Sequence, residues 1–212
     1  IDSFYFTGDK ALADLVKGWS SGGSYHKYFL DEYGCNLKIV DKFIELAKDL
    51  CENNKVRELI IFTSVEGEGI LYGTKTLFVR LAGCPFTCFY CDTKESLPLD
   101  SGTEYTIEAA NQLIDSNLQN QTYKVNFTGG DPLIQHQAVA ELAKHIQNKK
   151  IPTYLESSCF DIDRFNHVLP FIDIIKIEFK TKDSDFVDSK HYEKLIGHTM
   201  KCLESSVTSK KT

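Results

Sequence analysis

Short apolar segments alternate with segments of helical periodicity from about residue 57 onward. Because such alternation places parallel strands under their crossover helices, it predicts an α/β fold with a largely parallel sheet. In folds of this kind, functional residues gather in the loops that follow the carboxyl ends of the strands. Strands are predicted at residues 59–62, 76–81, 123–127, 152–155 and 171–179, and helices after the N-cap residue Thr106, around residues 139–146 and over residues 191–203.

The two ends of the chain have a different pattern from this core. Residues 1–56 contain a glycine- and serine-rich segment and a predicted helix over about residues 36–51, and we interpret them as an N-terminal extension of unknown role. Residues 57–212 are the predicted core domain. The chain begins with Ile1 rather than Met, and residues 205–212 are polar, so we expect a fragment whose C-terminal end is truncated.

The charge and hydropathy of the chain argue against two classes of partner. The 24 basic and 30 acidic residues give a net charge of -6, which opposes attraction to a phosphate backbone. No apolar segment approaches the roughly 18 residues of a membrane span, and no secretory leader opens the chain. We therefore expect a cytoplasmic protein that binds neither nucleic acid nor membranes.

The 7 cysteines fall into two groups. Three of them, Cys84, Cys88 and Cys91, lie close together directly after the strand predicted at residues 76–81. Thiolates at this spacing could hold a zinc ion with a distant fourth ligand, or a [4Fe–4S] cluster that keeps one iron open, or they could be unrelated. The scattered thiols are interpreted as small buried apolar groups, and these are Cys35, Cys51, Cys159 and Cys202.

The spacing Cys-x3-Cys-x2-Cys, with Tyr90 before the last cysteine, resembles the signature of radical S-adenosylmethionine (SAM) enzymes. This resemblance implies a partial (β/α) barrel in which the three cysteines hold a [4Fe–4S] cluster. It further implies that the open iron chelates the amino and carboxylate groups of SAM. One electron from the cluster then cleaves SAM to a 5′-deoxyadenosyl radical, which abstracts a hydrogen atom from the substrate.

A Gly-Gly turn follows the strand predicted at residues 123–127. On its own, the sequence Thr128-Gly129-Gly130-Asp131-Pro132 is typical of an ordinary turn between a strand and a helix. Placed after the cysteine segment, it is similar to the Gly-Gly-Glu-Pro motif with which the family holds the SAM amino group, with Asp in place of Glu. The resemblance implies that the SAM-binding residues are Tyr90, Gly129, Gly130, Asp131, Glu156 and Ser158.

Two further features concern the substrate. The segment Glu66-Gly67-Glu68-Gly69 lacks dinucleotide-loop spacing, and its two carboxylates suit a polar heterocycle with several N–H donors. Arg80, in the strand before the cysteines, could clamp a carboxylate in a bidentate pair.

In combination, these segments and the sequence Cys91-Asp92-Thr93 resemble the 7-carboxy-7-deazaguanine synthase family of radical SAM enzymes, over about residues 58–200. That family converts 6-carboxy-5,6,7,8-tetrahydropterin to 7-carboxy-7-deazaguanine with loss of ammonia, on the pathway to queuosine and archaeosine in tRNA. The resemblance implies Mg2+ at Thr93, an electron donor such as flavodoxin or ferredoxin, a homodimer, and no side chain as a catalytic residue. It also implies a pterin site formed by Glu66, where the family usually has Gln, with Gly67, Glu68 and Arg80.

Two other functions use some of the same features. A glycyl-radical activase has the same cysteine spacing, but its polypeptide substrate does not need the Glu-Gly-Glu-Gly segment or Arg80. A non-catalytic zinc or iron–sulfur interaction module would leave the Gly-Gly-Asp-Pro turn without a purpose. A late polar segment matches the family loosely, and its Glu178 and Lys180 are expected to line the pocket.

Overall fold

The computed structural model of the protein describes residues 55–182 and 189–211. All but the last two residues of the predicted N-terminal extension therefore lie outside the described residues. The same holds for the helix predicted over about residues 36–51 and for Cys35 and Cys51.

Six strands form one sheet in the spatial order β3–β1–β2–β4–β5–β6. The pairs β2–β4, β4–β5 and β5–β6 are parallel, whereas β1 runs antiparallel to both β2 and β3. The prediction of a largely parallel sheet is thus confirmed. The strands are β1 (Lys55–Val65), β2 (Lys75–Leu81), β3 (Thr103–Thr106), β4 (Lys124–Gly129), β5 (Thr153–Ser157) and β6 (Ile174–Ile177).

Helices connect the parallel strands. Thr106 caps the first of them as predicted, because its Oγ1 accepts a hydrogen bond from the Ala109 backbone N at 3.2 Å. None of the described helices is long and apolar enough to cross a membrane. The helices are α1 (Ile107–Asn117), α2 (His136–Asn148), α3 (Ile162–Val168) and α4 (Ser189–Thr208).

The described helices pack on one face of the sheet, and the opposite face, called the open face here, carries a cavity. In β2, Leu77, Val79 and Leu81 are fully buried in the core beneath the helices. Because successive side chains of a strand point to opposite faces, Phe78 and Arg80 point the other way, and both line a cavity there. The open face of the sheet is therefore where polar side chains can meet a ligand.

Several elements differ from the sequence-based expectation. The strand β3 and the helix α3 were not predicted, since each is too short to show a clear period. The strand predicted at residues 171–179 is confined to Ile174–Ile177, because Phe171 belongs to a 3-10 turn that contains Pro170. The last helix was predicted over residues 191–203 but spans Ser189–Thr208, so part of the polar C-terminal segment is helical and includes the buried Ser206.

Candidate active site

A cavity of about 530 Å³ lies on the open face of the sheet, where loops from the carboxyl ends of β2, β4 and β5 meet. Every residue that the sequence singled out for a metal, SAM or a substrate lines this cavity, although these residues come from distant segments. Their ligand roles stay predictions. They are Glu66, Gly67, Glu68, Arg80, Cys84, Cys88, Tyr90, Cys91, Thr93, Gly129, Gly130, Asp131, Glu156 and Ser158.

The cysteine loop follows β2 and is held by backbone hydrogen bonds. The backbone N of Gly83 donates to the Ser96 carbonyl at 2.8 Å. None of Cys84, Cys88 and Cys91 is part of a disulfide, and all three line the cavity. Burial, reinforced by the nearby Asp131 charge, raises the pKa of the Cys84 thiol well above its usual value. Binding of a metal there would displace this proton, since thiolate is the ligand form.

The arrangement of the three thiols bears on which metal group they could hold. Across residues 55–182 and 189–211, no three His, Cys, Asp or Glu side chains are gathered tightly enough to hold one metal ion. In a [4Fe–4S] cluster each thiolate binds a different iron, so its ligands stand farther apart than those of one zinc ion. The three cysteines come from one loop and line one cavity, as the ligands of such a cluster would.

The Gly-Gly turn packs directly on the cysteine loop. Gly130 N donates to the Leu81 carbonyl at 3.0 Å, and Asp131 N donates to the Gly83 carbonyl at 2.8 Å. A Cβ atom at Gly130 would lie 2.3 Å from the Gly83 carbonyl oxygen, and Gly129 has a φ of +140°. Because Gly129 and Gly130 have no side chains, the two backbone segments can pack together closely. Both glycines also line the cavity.

Asp131 uses its side chain to join the ends of β4 and β5. Its Oδ1 accepts from Leu133 N at 3.0 Å and from Ser157 Oγ at 2.8 Å. Its Oδ2 accepts from the Ser158 backbone N at 2.9 Å and from Ser158 Oγ at 2.6 Å. Burial raises the pKa of this carboxyl above its usual value despite these bonds. Asp131 therefore fixes the loop after β5 relative to the Gly-Gly turn.

Arg80 forms a positive pole next to the cysteine loop. Its Nη1 donates to Thr93 Oγ1 at 2.8 Å, and Thr93 Oγ1 donates to Asp92 Oδ1 at 2.9 Å. The guanidinium lies 5.5 Å from the centre of the Phe62 ring, and its Nε is buried without a hydrogen-bond partner. A guanidinium that lines a cavity suits an anionic group of a ligand.

The residues at Thr93 fit a magnesium ion that takes few ligands from the protein. They offer one hydroxyl oxygen with the Asp92 carboxylate beside it, and Mg2+ usually takes few protein oxygens and completes its shell with substrate oxygens and water. The Arg80 guanidinium donates a hydrogen bond to the same hydroxyl oxygen, and it would have to move away if a metal ion were bound there.

A buried ion pair lies at the opposite end of the cavity. Lys124, at the start of β4, is fully buried, and its Nζ donates to Oε2 of Glu66, which is only 4% exposed. The ammonium also lies 4.1 Å from the centre of the Tyr154 ring. Burial lowers the pKa of Lys124, against the opposing effect of Glu66, and burial together with the Glu66 charge raises the pKa of Tyr154 to about 12.

A second lysine, Lys176 of β6, stands among three carboxylates. Its Nζ lies 2.6 Å from Glu68, 2.9 Å from Glu156 and 2.7 Å from Glu178, and all four side chains line the cavity. Although burial lowers the pKa of Lys176, these three pairs raise it above its usual value. Sequence analysis predicted Glu178 here but assigned no role to Lys176 or Lys124. The available signal was a charged residue within an otherwise apolar strand.

This combination of fold and site defines a class of iron–sulfur protein. The 4Fe–4S single cluster domain family matches residues 65–200, and the chain belongs to that family.

Similar proteins point to a more particular activity. The 7-carboxy-7-deazaguanine synthase of Methanocaldococcus jannaschii is 32% identical over 157 residues, which are 68% of this chain and 63% of that protein. The synthase of Archaeoglobus fulgidus is 33% identical over 152 residues, or 68% of this chain and 62% of that protein. The synthase of Pyrobaculum aerophilum is 47% identical over 91 residues, or 42% and 40% of the two chains. The chain thus spans less than two thirds of the length of these relatives.

Among solved structures, a crystal structure of QueE from Escherichia coli has a similar fold. Its TM-score is 0.52 at 17% sequence identity, and the match covers 76% of this chain and 81% of that chain.

Proposed function

We propose that this chain is a 7-carboxy-7-deazaguanine synthase, which converts 6-carboxy-5,6,7,8-tetrahydropterin to 7-carboxy-7-deazaguanine with loss of ammonia. The observation that carries the proposal is the common cavity: three cysteines outside any disulfide, a Gly-Gly turn, an arginine and a group of carboxylates all line it. The relatives named above support the same activity. We further propose that the open sheet is part of a partial (β/α) barrel.

In this proposal the cofactors occupy the end of the cavity near the cysteine loop. Cys84, Cys88 and Cys91 would hold a [4Fe–4S] cluster. When bound, the cluster and SAM supply the one-electron cleavage that starts radical chemistry, and the protein supplies binding, orientation and exclusion of water. The residues proposed to contact SAM are Tyr90, Gly129, Gly130, Asp131, Glu156 and Ser158.

The pterin would occupy the rest of the cavity, from Arg80 towards Glu66 and Glu68. Arg80 would bind the substrate carboxylate, because its guanidinium is a cation that lines the cavity. Glu66 and Glu68, with the backbone of Gly67, would accept hydrogen bonds from the N–H groups of the pterin ring. Thr93 would contribute one oxygen to Mg2+, whose chemistry is to orient substrate oxygens and to stabilise negative charge.

This division of the cavity gives the substrate one orientation. A ligand with a carboxylate at one end and several donors at the other meets a cation at the first end and carboxylates at the second. The reverse orientation places its carboxylate against Glu66 and Glu68, which is electrostatically unfavourable. We propose a small redox protein such as flavodoxin or ferredoxin as electron donor, and a homodimer as the assembled form.

The proposal is tested by anaerobic turnover of the full chain. The protein is reconstituted with iron and sulfide and supplied with SAM, Mg2+, reductant and 6-carboxytetrahydropterin, and products are measured by mass spectrometry. We expect 7-carboxy-7-deazaguanine that depends on the pterin, and its absence in Cys88→Ser but not in the matched control Cys202→Ser. SAM cleavage that yields 5′-deoxyadenosine but no deazapurine would contradict the synthase and favour another radical SAM activity, such as an activase.

A further inference from the structure

Lys176 is a charged residue in the middle of a short strand, and nothing in the cysteine or glycine motifs requires it. Its side chain is 19% exposed, and its ammonium lies within 3 Å of one carboxylate from each of three different chain segments. Glu68 belongs to the loop between β1 and β2, Glu156 to β5 and Glu178 follows β6. One side chain thus connects the loop that closes one end of the cavity with the far edge of the described sheet.

The contact with Glu68 has a mechanical consequence. The Glu68 side chain is 71% exposed, so packing alone does not fix its position. Apart from Lys176, no described residue contacts the Glu68 carboxylate through a hydrogen bond or ion pair that the structure shows. A single exposed ion pair is usually weak, but Lys176 is already held in place by its two other carboxylate partners. The lysine can therefore order Glu68 at small additional entropic cost.

The net charge of the cluster also makes the Lys176 ammonium important for binding of the substrate. Three carboxylates and one ammonium give this cluster a formal charge of -2, and loss of the ammonium would make it -3. The carboxylates would then repel one another and would also repel a substrate that carries its own carboxylate. The other titratable groups facing the cluster are Glu66 and Lys124 at the buried pair, Tyr154 of β5 and Lys180 after β6.

We propose that Lys176 is a positioning and specificity residue, which is anchored by Glu156 and Glu178, orders Glu68 and so completes the acceptor surface that Glu66 and Glu68 present to the donor edge of the substrate. This inference rests on the proposed function, because it assigns the pterin as the ligand of that surface. Lys176 acts through the carboxylates rather than on reacting atoms. Its removal should weaken binding of the substrate more than it affects the chemical step.

The test measures binding without turnover. The cluster-loaded full chain with SAM but without reductant is titrated with 6-carboxypterin, an oxidised analogue, and its fluorescence is followed between pH 6 and pH 8. We expect Lys176→Met to weaken binding about tenfold at pH 8. Lys176→Arg, which keeps the charge, should stay within about threefold of the original chain. The surface variant Lys149→Met, which removes an ion pair between the residue after α2 and Asp115 of α1, is the matched control and should have no effect.

A pH profile separates positioning from a general structural role. Burial raises the pKa of Glu178, but Lys176 lowers it below its usual value in the original chain. In Lys176→Met that lowering is lost, so Glu178 takes up a proton more easily as the pH falls and the extra negative charge disappears. Binding to this variant should therefore improve at least about threefold from pH 8 to pH 6, while binding to the original chain changes less than about twofold.

A double variant supplies the decisive comparison. Lys176→Met combined with Glu178→Gln returns the cluster to its original formal charge, and we expect it to recover most of the affinity and to lose the pH dependence. Equal weakening at every pH with no recovery in the double variant would overturn the positioning role. An unchanged affinity in Lys176→Met would overturn it as well. If the original chain does not bind 6-carboxypterin and makes no deazapurine, the proposed function itself fails.

Discussion

The buried pair between Lys124 and Glu66 should be strongly coupled, and a double-mutant cycle can measure this. Both side chains are almost completely removed from water, with 0% exposure for Lys124 and 5% for Glu66. Lys124→Met keeps a similar volume against the Tyr154 ring but leaves the Glu66 carboxylate buried without its ammonium partner. Breaking a buried pair in this way costs about 3–5 kcal/mol, because one charge stays desolvated and uncompensated.

The two single variants and the double variant should differ in a specific way. Lys124→Met and Glu66→Gln should each lower the free energy of unfolding by about 3 kcal/mol. The double variant leaves no unpaired charge and should lose no more than either single variant. The resulting coupling energy is about 3 kcal/mol, near the upper end of values seen for residues in contact.

Denaturant unfolding at pH 7.5 provides the assay. The comparison is valid if the unfolding free energy of every variant falls with denaturant concentration at the same slope. The ion pair of Lys149 with Asp115, whose side chains are 35% and 37% exposed, is the matched control, and its coupling should be below about 1 kcal/mol. Additive effects at Lys124 and Glu66, each as small as at the surface pair, would refute the reasoning. Such a result would mean that water reaches the pair in solution.

Two further predictions concern the backbone and acid stability. Gly130→Ala should destabilise the protein by about 3 kcal/mol and reduce iron incorporation, since its Cβ would lie 2.3 Å from the Gly83 carbonyl oxygen. The matched control is Gly197→Ala in α4, where a Cβ has open space, and it should be neutral or stabilising. Both variants are compared by thermal unfolding and by an assay of iron content. Burial and the Arg164 charge lower the pKa of His136 to about 3, so the unfolded chain binds more protons between pH 3 and pH 6.5 and stability should fall as pH decreases across that range. The loss of unfolding free energy over this range is on the order of 4 kcal/mol. It should be much smaller in His136→Gln but unchanged in the surface variant His145→Gln. Urea unfolding at pH 7 and pH 4 measures it.

The parts of the site that could be predicted from the sequence are those carried by local segments. The spacing of Cys84, Cys88 and Cys91 lies within one loop, and the Gly-Gly turn lies within another. The placement of both loops after strands was enough to predict that they meet, because parallel strands bring their carboxyl ends to one edge. The structure adds that Gly130 serves contact between these loops, which a motif alone does not reveal.

The parts that were missed depend on pairs far apart in the chain. Lys124 is 58 residues from Glu66, and Lys176 is 108 residues from Glu68. Pairs at such separation depend on strand order and register, neither of which follows from hydropathy alone. The register of β5 and β6 pairs Glu156 directly with Lys176, and only this alignment turns separate charges into one cluster.

The open face of the sheet nevertheless corresponds to a pattern of polar residues in the sequence. A parallel sheet covered on both faces has strands that are apolar almost throughout. Here polar residues interrupt the apolar strands at alternate positions, such as Lys124 and Asn126 in β4, around the fully buried Val125. Because successive side chains of a strand point to opposite faces, this alternation places the polar side chains of β4 on the face opposite the helices. The cavity lies on that face, and both unassigned lysines lie there too.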